Sequence, residues 1–168
     1  MCIRDSISTI NLILNEISFI VSSEIAGSTL IHCAAVKSSS GAILIFGDHK
    51  SGKSIYCAER SLDADQCLAD DLLIMIEDPD QFLTLGFPIR IRRPVPEKIL
   101  LKANSRHILT GASLCYLTSK NSNIASGGQT FSPAKAYWLN ENRELMEIKK
   151  ENIVNYITRF SVYMQQSR

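Results

Sequence analysis

The sequence predicts an α/β fold built around one strand, loop and helix unit, and three observations carry that expectation. Residues 42–46 form an unbroken apolar run, the pattern of a central strand covered on both faces. A turn bounded by Gly47 and Gly52 follows, and beyond it Ile55, Ala58 and Leu62 recur at helical spacing over 53–62. With 168 residues, 45% of them hydrophobic, the chain has the material for one domain with its own core.

The elements follow in chain order. Residues 7–21 fit two patterns: Ile10, Ile13, Leu14, Ile17 and Val21 share a helical face, while Ile10, Leu12 and Leu14, then Ile17, Phe19 and Val21, alternate as in strands. Length favours the helix. Ahead of it, Met1-Cys2-Ile3-Arg4-Asp5-Ser6 resembles the translation of a transposase-adapter sequence. One domain is therefore expected over 7–168, continuing upstream of Ile7, with the first six residues set aside. Ala26-Gly27-Ser28 breaks the pattern, and 29–36 reads as one apolar strand. The run 37–41 is a turn leading into the 42–46 strand.

After the 53–62 helix, a polar loop at 63–66 precedes 67–76, which is apolar except for Asp70 and Asp71. Residues 77–80 form a turn by composition, and 81–85 reads as the return strand of a hairpin. Pro88, Pro94 and Pro96 confine 89–93 to an edge or a loop, and a short helix is expected to start at Pro96. Segments 112–117 and 136–139 read as strands flanking a polar loop, 118–133, of a length that is usually functional or mobile. Over 151–165, Ile153, Ile157, Phe160 and Met164 share one face of a terminal amphipathic helix.

Composition bounds the function. The formal net charge is +1, from 18 basic and 17 acidic residues, so neither a nucleic acid nor an anionic membrane is an expected partner. No apolar stretch approaches the roughly 20 residues that span a bilayer. Five scattered cysteines without a C-x-x-C pair read as reduced, buried side chains, and a cytoplasmic location is expected.

The strongest chemical signal is Gly47-Asp48-His49-Lys50-Ser51-Gly52-Lys53-Ser54, a G-x-x-x-x-G-K-S match between an apolar strand and a helix. Glycines let a backbone curl so that successive N–H groups face a phosphate, and the helix N-terminus adds positive potential. In that motif the lysine, here Lys53, reaches the outer phosphates of ATP and the hydroxyl, here Ser54, ligates Mg²⁺. Seventeen residues beyond Lys53 stands the acid pair Asp70-Asp71. Adjacent carboxylates among apolar residues need a cation or hydrogen-bond donors to offset their desolvation. One of the two can hold a metal while the other takes a proton from an attacking hydroxyl. His32 is an isolated polar residue in an apolar strand; alone it reads as structural, and only its company suggests more. Arg90 and Arg92 project from one face of their segment, either to clamp a phosphate or an acidic peptide or to form a basic edge that discourages strand pairing.

Taken together, Leu30-Ile31-His32-Cys33-Ala34-Ala35-Val36, the Gly47 to Ser54 loop and Leu68-Ala69-Asp70-Asp71 resemble the catalytic C-terminal domain of HPr kinase/phosphorylase and its shorter kinase-like relatives. The resemblance is strongest over 29–76. It extends more weakly to Ala136-Tyr137-Trp138-Leu139, 145–150 and the last helix, which look like that family's closing strand pair and helix. It implies a phosphoenolpyruvate carboxykinase-like α/β fold with a mixed sheet and a phosphate loop. By position, Lys53 and the loop would bind nucleotide, Ser54 and Asp71 the metal, and the acid pair would supply the base, with His32 beside it. The implied activity is ATP- and Mg²⁺-dependent transfer of a phosphoryl group to a serine of a protein or peptide. A nucleotide-binding regulatory module is the alternative. The sequence departs from the family in its bulky loop interior, Asp48-His49-Lys50-Ser51, and in Met75, which stands where a glutamate is common.

Overall fold

The computed structural model of the protein describes the backbone of residues 3–76, 81–103, 109–111 and 113–162, with side chains from Thr9 onward. Along the chain run α1 (Ile3–Ser23), β1 (Thr29–Ile31), β2 (Ala34–Ser38), β3 (Gly41–Phe46), α2 (Lys53–Asp63), β4 (Gln66–Ala69), β5 (Leu73–Met75) and β6 (Phe82–Leu83). Then follow β7 (Ile89–Arg92), α3 (Glu97–Lys102), β8 (Leu109–Thr110), β9 (Leu114–Leu117), β10 (Thr130–Phe131), β11 (Pro133–Leu139), β12 (Leu145–Glu147) and α4 (Ile153–Phe160). The class is mixed α/β. The strands form three sheets in place of the one expected: β12-β11-β3-β2-β4, β1-β5-β6-β10 and β7-β9-β8. In the five-stranded sheet β11 and β3 are parallel and the other neighbours antiparallel.

Strand β3 sits in the middle of the largest sheet, and both of its faces are covered. Leu44 and Phe46 join one core cluster with Leu73, Phe82 and Ile157, whereas Ile45 joins the other with Cys57, Ala58, Ile89 and Leu139. That two-sided burial is why 42–46 has no polar position. Each fully buried Leu, Ile or Phe there contributes ~1.5–3 kcal/mol from apolar area alone. The four described cysteines, Cys33, Cys57, Cys67 and Cys115, are all free and buried in these clusters.

The expected strand 29–36 proves to be two strands in different sheets, and 67–76 is likewise divided, with the first strand ending at the acid pair. Chain 29–38 breaks at His32 and Cys33, and chain 66–75 breaks at 70–72. The breaks lie opposite one another. Ile31 faces Leu73 across β1 and β5, and four positions further on Ala35 faces Ala69 across β2 and β4, so one antiparallel register continues through both corners. The two chains are a single ribbon bent at its middle. Its bend falls on the polar residues, because a strand buried on both faces has no place for His32, Asp70 and Asp71.

The terminal helix is shorter than expected: α4 stops at Phe160, while Met164 and Gln165 lie outside the described residues, as do 77–80 and Ala112. After Phe160 the chain runs along the free edge of β1. The Val162 N–H donates to the Leu30 carbonyl at 2.7 Å, and the His32 N–H donates to the Phe160 carbonyl at 2.8 Å. Ile153, Ile157 and Phe160 do face the core as their spacing predicted. Phe46, at the end of β3, packs against Tyr156 and Phe160 with ring centroids 5.7 Å apart in both cases. Tilted aromatic pairs of this kind add ~0.5–1.5 kcal/mol each beyond buried area, and they fix the strand end from which the Gly47 loop departs.

Loop 118–133 is tied down along its length and contains β10. The Cys67 N–H donates to the Asn123 carbonyl and the Ala125 N–H to the Cys67 carbonyl, both at 2.8 Å, and Thr84 Oγ1 donates to the Ser126 carbonyl at 2.7 Å. No helix among the described residues is long and apolar enough to cross a membrane.

Gly86 and Gly128 both have left-handed φ, +69° and +84°, but a Cβ on Gly86 would overlap the Gly127 backbone while one on Gly128 would meet nothing. Gly128→Ala is expected to lose only the ~1–2 kcal/mol of left-handed strain. Gly86→Ala adds a backbone clash and is expected to lose clearly more, with urea unfolding of both variants as the check. Equal losses would mean that the 85–88 and 126–128 segments separate readily.

Candidate functional site

The bend in the ribbon and the end of β3 bring the sequence-predicted residues to one place. Loop 47–52 leaves β3 and enters α2 through Gly52, whose φ of 102° only glycine adopts without strain. Lys50, at φ 71°, is a second left-handed residue and curls the loop further. Gly47 is needed because a Cβ there would lie 2.6 Å from Ser51 Oγ and 2.8 Å from the Leu139 carbonyl oxygen. Lys53, only 6% exposed, turns back under the loop and donates from Nζ to the Gly47 carbonyl at 2.7 Å and the Asp48 carbonyl at 3.2 Å. Two of its three ammonium protons hold the loop's shape, leaving the third for a ligand. Burial pushes the Lys53 ammonium below its ordinary pKa, opposed chiefly by the charge of Asp71.

The acid pair sits at the bend, and its members have different surroundings. Asp71 Oδ1 lies 2.7 Å from His32 Nε2, and Asp71 Oδ2 accepts from Arg90 Nη2 at 2.6 Å. Burial would raise its pKa, but the His32 hydrogen bond and the Arg90 and Lys53 charges outweigh burial and hold the carboxyl below its ordinary range. An ionised Asp71 accepts only, so His32 carries its proton on Nε2. Asp70 is 8% exposed; its Oδ2 accepts the Arg90 backbone N–H at 2.8 Å, while Oδ1 is buried with no hydrogen bond. Burial dominates there and raises its pKa from 3.8 to about 6, although the neighbouring Ser54 hydroxyl and the Arg90 N–H pull it down. Cys33, between the bend and Lys53, is pushed by burial up to about 12, which makes it a packing residue and no nucleophile.

Strand β7 completes the site. It is an edge strand, yet Arg90 is turned inward onto Asp71 and Asn11, and Arg92 Nη2 lies 2.8 Å from His49 Nε2 on the loop. Arg92 also holds the exposed His49 imidazole below its ordinary pKa. Arg90 is thus held by side chains of this chain and is not a free basic edge. A cavity of about 440 Å³ lies between the loop and β7, lined by His32, Lys53, Ser54, Asp71, Arg90 and Arg92 among others. That volume suits a small-molecule ligand. Lys50, Lys53, Arg90, Arg92 and Arg93 face it against the single carboxylate of Asp71, so the cavity favours an anion.

Asp48 stands apart on the outer side of the loop, with Oδ1 3.5 Å from Arg159 Nη2. Asn11 and Tyr116, which also line this region, were missed: Asn11 is one of several polar residues on an ambiguous helix, and Tyr116 reads as an ordinary core aromatic. Among the described residues, no group of three or more His, Cys, Asp and Glu is placed to hold a metal ion by itself. Mg²⁺ characteristically takes one or two carboxylates or hydroxyls together with substrate phosphates. Ser54 beside the orphaned Asp70 Oδ1 fits that requirement. No protein-family model matches this chain, and no curated protein matches it. What the site does must be read from its geometry.

Since the buried Asp70 favours its protonated form, its contribution to stability is complete below 3.8 and is lost as pH rises through about 6. Asp70→Asn does not titrate. It is expected to match wild type near pH 4 and to exceed it by ~1–3 kcal/mol above pH 6, read from urea unfolding across that range. A gap that does not change with pH would overturn the assignment.

Proposed function

We propose that this chain is a kinase of the HPr kinase-like type, with a phosphoenolpyruvate carboxykinase-like fold and phosphate loop. It would transfer the γ-phosphoryl group of ATP to a serine hydroxyl of a protein or peptide. The single observation that supports this most is the convergence of Lys53, Ser54, Asp71, His32 and Arg90 around one cationic cavity, from four separate segments of the chain.

In this reading the curled loop and Lys53 neutralise the nucleotide phosphates, and Arg90 and Arg92 face them from the opposite wall. Bound Mg²⁺ would supply charge neutralisation at the transferred phosphoryl group, held through Ser54 and Asp70. Asp70 takes the metal in this reading, in place of the Asp71 implied by the family resemblance, because its free, buried oxygen gains most from a cation. Asp71, oriented by His32 and Arg90, accepts the proton of the serine hydroxyl as its oxygen bonds to the γ-phosphorus and the bond to ADP breaks. The reaction is then balanced: the phosphoryl group passes to serine, ADP leaves, and the proton rests on the site before release to water.

One observation favours the second reading, a module that binds nucleotide without transferring phosphate. Both Asp71 oxygens are already engaged, by His32 and by Arg90, which weakens the carboxylate as a base.

Calorimetric titration with Mg²⁺-ATP and a phosphotransfer assay separate the two. Lys53→Ala is expected to abolish detectable nucleotide binding. Asp71→Asn is expected to keep binding within a few-fold while phosphotransfer falls ~10²–10⁴-fold. Wild type that binds Mg²⁺-ATP and transfers to no acceptor supports the regulatory module, and Lys53→Ala binding as well as wild type overturns both.

A further inference from the structure

Asp71 and Arg90 do not face the nucleotide cavity alone. They also line a second, smaller cavity of about 40 Å³, to which α1 contributes Asn11, Leu14 and Asn15 and the rest of the chain Asp70, Leu72, Phe87 and Tyr116 among others. Asp71 and Arg90 are the two residues that line both spaces. In an in-line phosphoryl transfer, donor and acceptor approach the phosphorus from opposite sides. A base that serves the acceptor must therefore stand where the two spaces meet.

The chemistry of the smaller cavity narrows what can enter it. Its volume admits one small polar group and is far too small for a sugar or a base. With Asp70 Oδ1 assigned to the cation, one buried oxygen on its lining still lacks a hydrogen bond, Tyr116 Oη, and Tyr116 is only 1% exposed. Buried polar atoms without partners call for a ligand or water group that bonds them. Around that polar group the rim is apolar, from Leu14, Leu72, Leu85 and Phe87, and apart from Arg90 it carries no basic side chain. In the wall 85–88, Gly86 lies against Gly127 with no room for a Cβ between them. Asn11 and Asn15, one helical turn apart on α1, edge the opening with amides suited to an extended peptide backbone.

We propose that this cavity is the acceptor site, and that it selects a serine hydroxymethyl group presented by an extended peptide with apolar residues beside that serine. The inference rests on the kinase reading above and adds the substrate class to it. Acidic flanking residues are disfavoured because Arg90, the basic side chain of the lining, is already occupied by Asp71 and Asn11, and basic ones because Asp71 is held by His32 and Arg90 while Asp70 is buried.

The test is a serine-centred peptide library with apolar, acidic or basic residues on each side, phosphorylated by the full chain with labelled ATP and Mg²⁺. Wild type is expected to prefer apolar flanks at least tenfold in kcat/KM. Leu14→Arg is expected to raise KM for apolar peptides at least tenfold, leave KM for ATP within twofold, and move the preference toward acidic flanks. The milder Asn15→Ala should raise peptide KM without changing that ranking. A library phosphorylated with no flank preference, or a ranking that Leu14→Arg does not alter, overturns the acceptor site while leaving the kinase reading intact. No phosphorylation of any peptide by a wild-type chain that binds Mg²⁺-ATP overturns both.

Discussion

The structure depends on a hydrogen bond between two bends. His32 and Asp71 meet at 2.7 Å where the 29–38 and 66–75 chains leave one sheet for another together. Either chain continued straight would carry an imidazole or a carboxylate pair into a region with both faces covered. Bending at the same level lets each polar group meet the other's and reach Arg90 and the cavity mouth. The β1 side of the bend is fixed in turn by the 161–162 segment after α4, through the His32 N–H and the Phe160 carbonyl.

That geometry also sets the electrostatics. Loop 47–52 is held on one side by the aromatic cluster under Phe46 and from within by the Lys53 ammonium, so its shape exists before any ligand arrives. The bend places Asp71 where it offsets part of the cationic field and Asp70 where burial opposes its ionisation. Two adjacent carboxylates thus differ in how readily they ionise: burial opposes the charge on both, and Asp71 has the His32 hydrogen bond and the Arg90 and Lys53 charges to outweigh it, whereas at Asp70 burial prevails. A single residue of separation along the chain is enough to divide their roles.

Much of this was legible in the residues. The apolar 42–46 run, the G-x-x-x-x-G-K-S spacing and the helical period after it all correspond to β3, the loop and α2, because short-range stereochemistry and two-sided burial dictate them. The 81–85 return strand and the 153–160 face were legible for the same reason. The bends were not. A polar residue inside an apolar run marks a place where burial is costly, and nothing local says whether the strand ends, turns or pairs the group. The inward turn of Arg90 was equally hidden, since an edge strand with alternating arginines looks alike whether it faces solvent or an acid pair.

The sequence by itself determined the α/β class, the position of the loop and the identity of the charged groups, all of which follow from local periodicity and from glycine stereochemistry. Only the tertiary structure decided that His32, Asp71 and Arg90 form one cluster, that Asp70 is the more buried carboxylate, and that Asp71 and Arg90 line two cavities. Those are facts of long-range register. Residues 32, 71 and 90 are brought together by pairing between distant strands, and the energy of each depends on neighbours that no local pattern specifies.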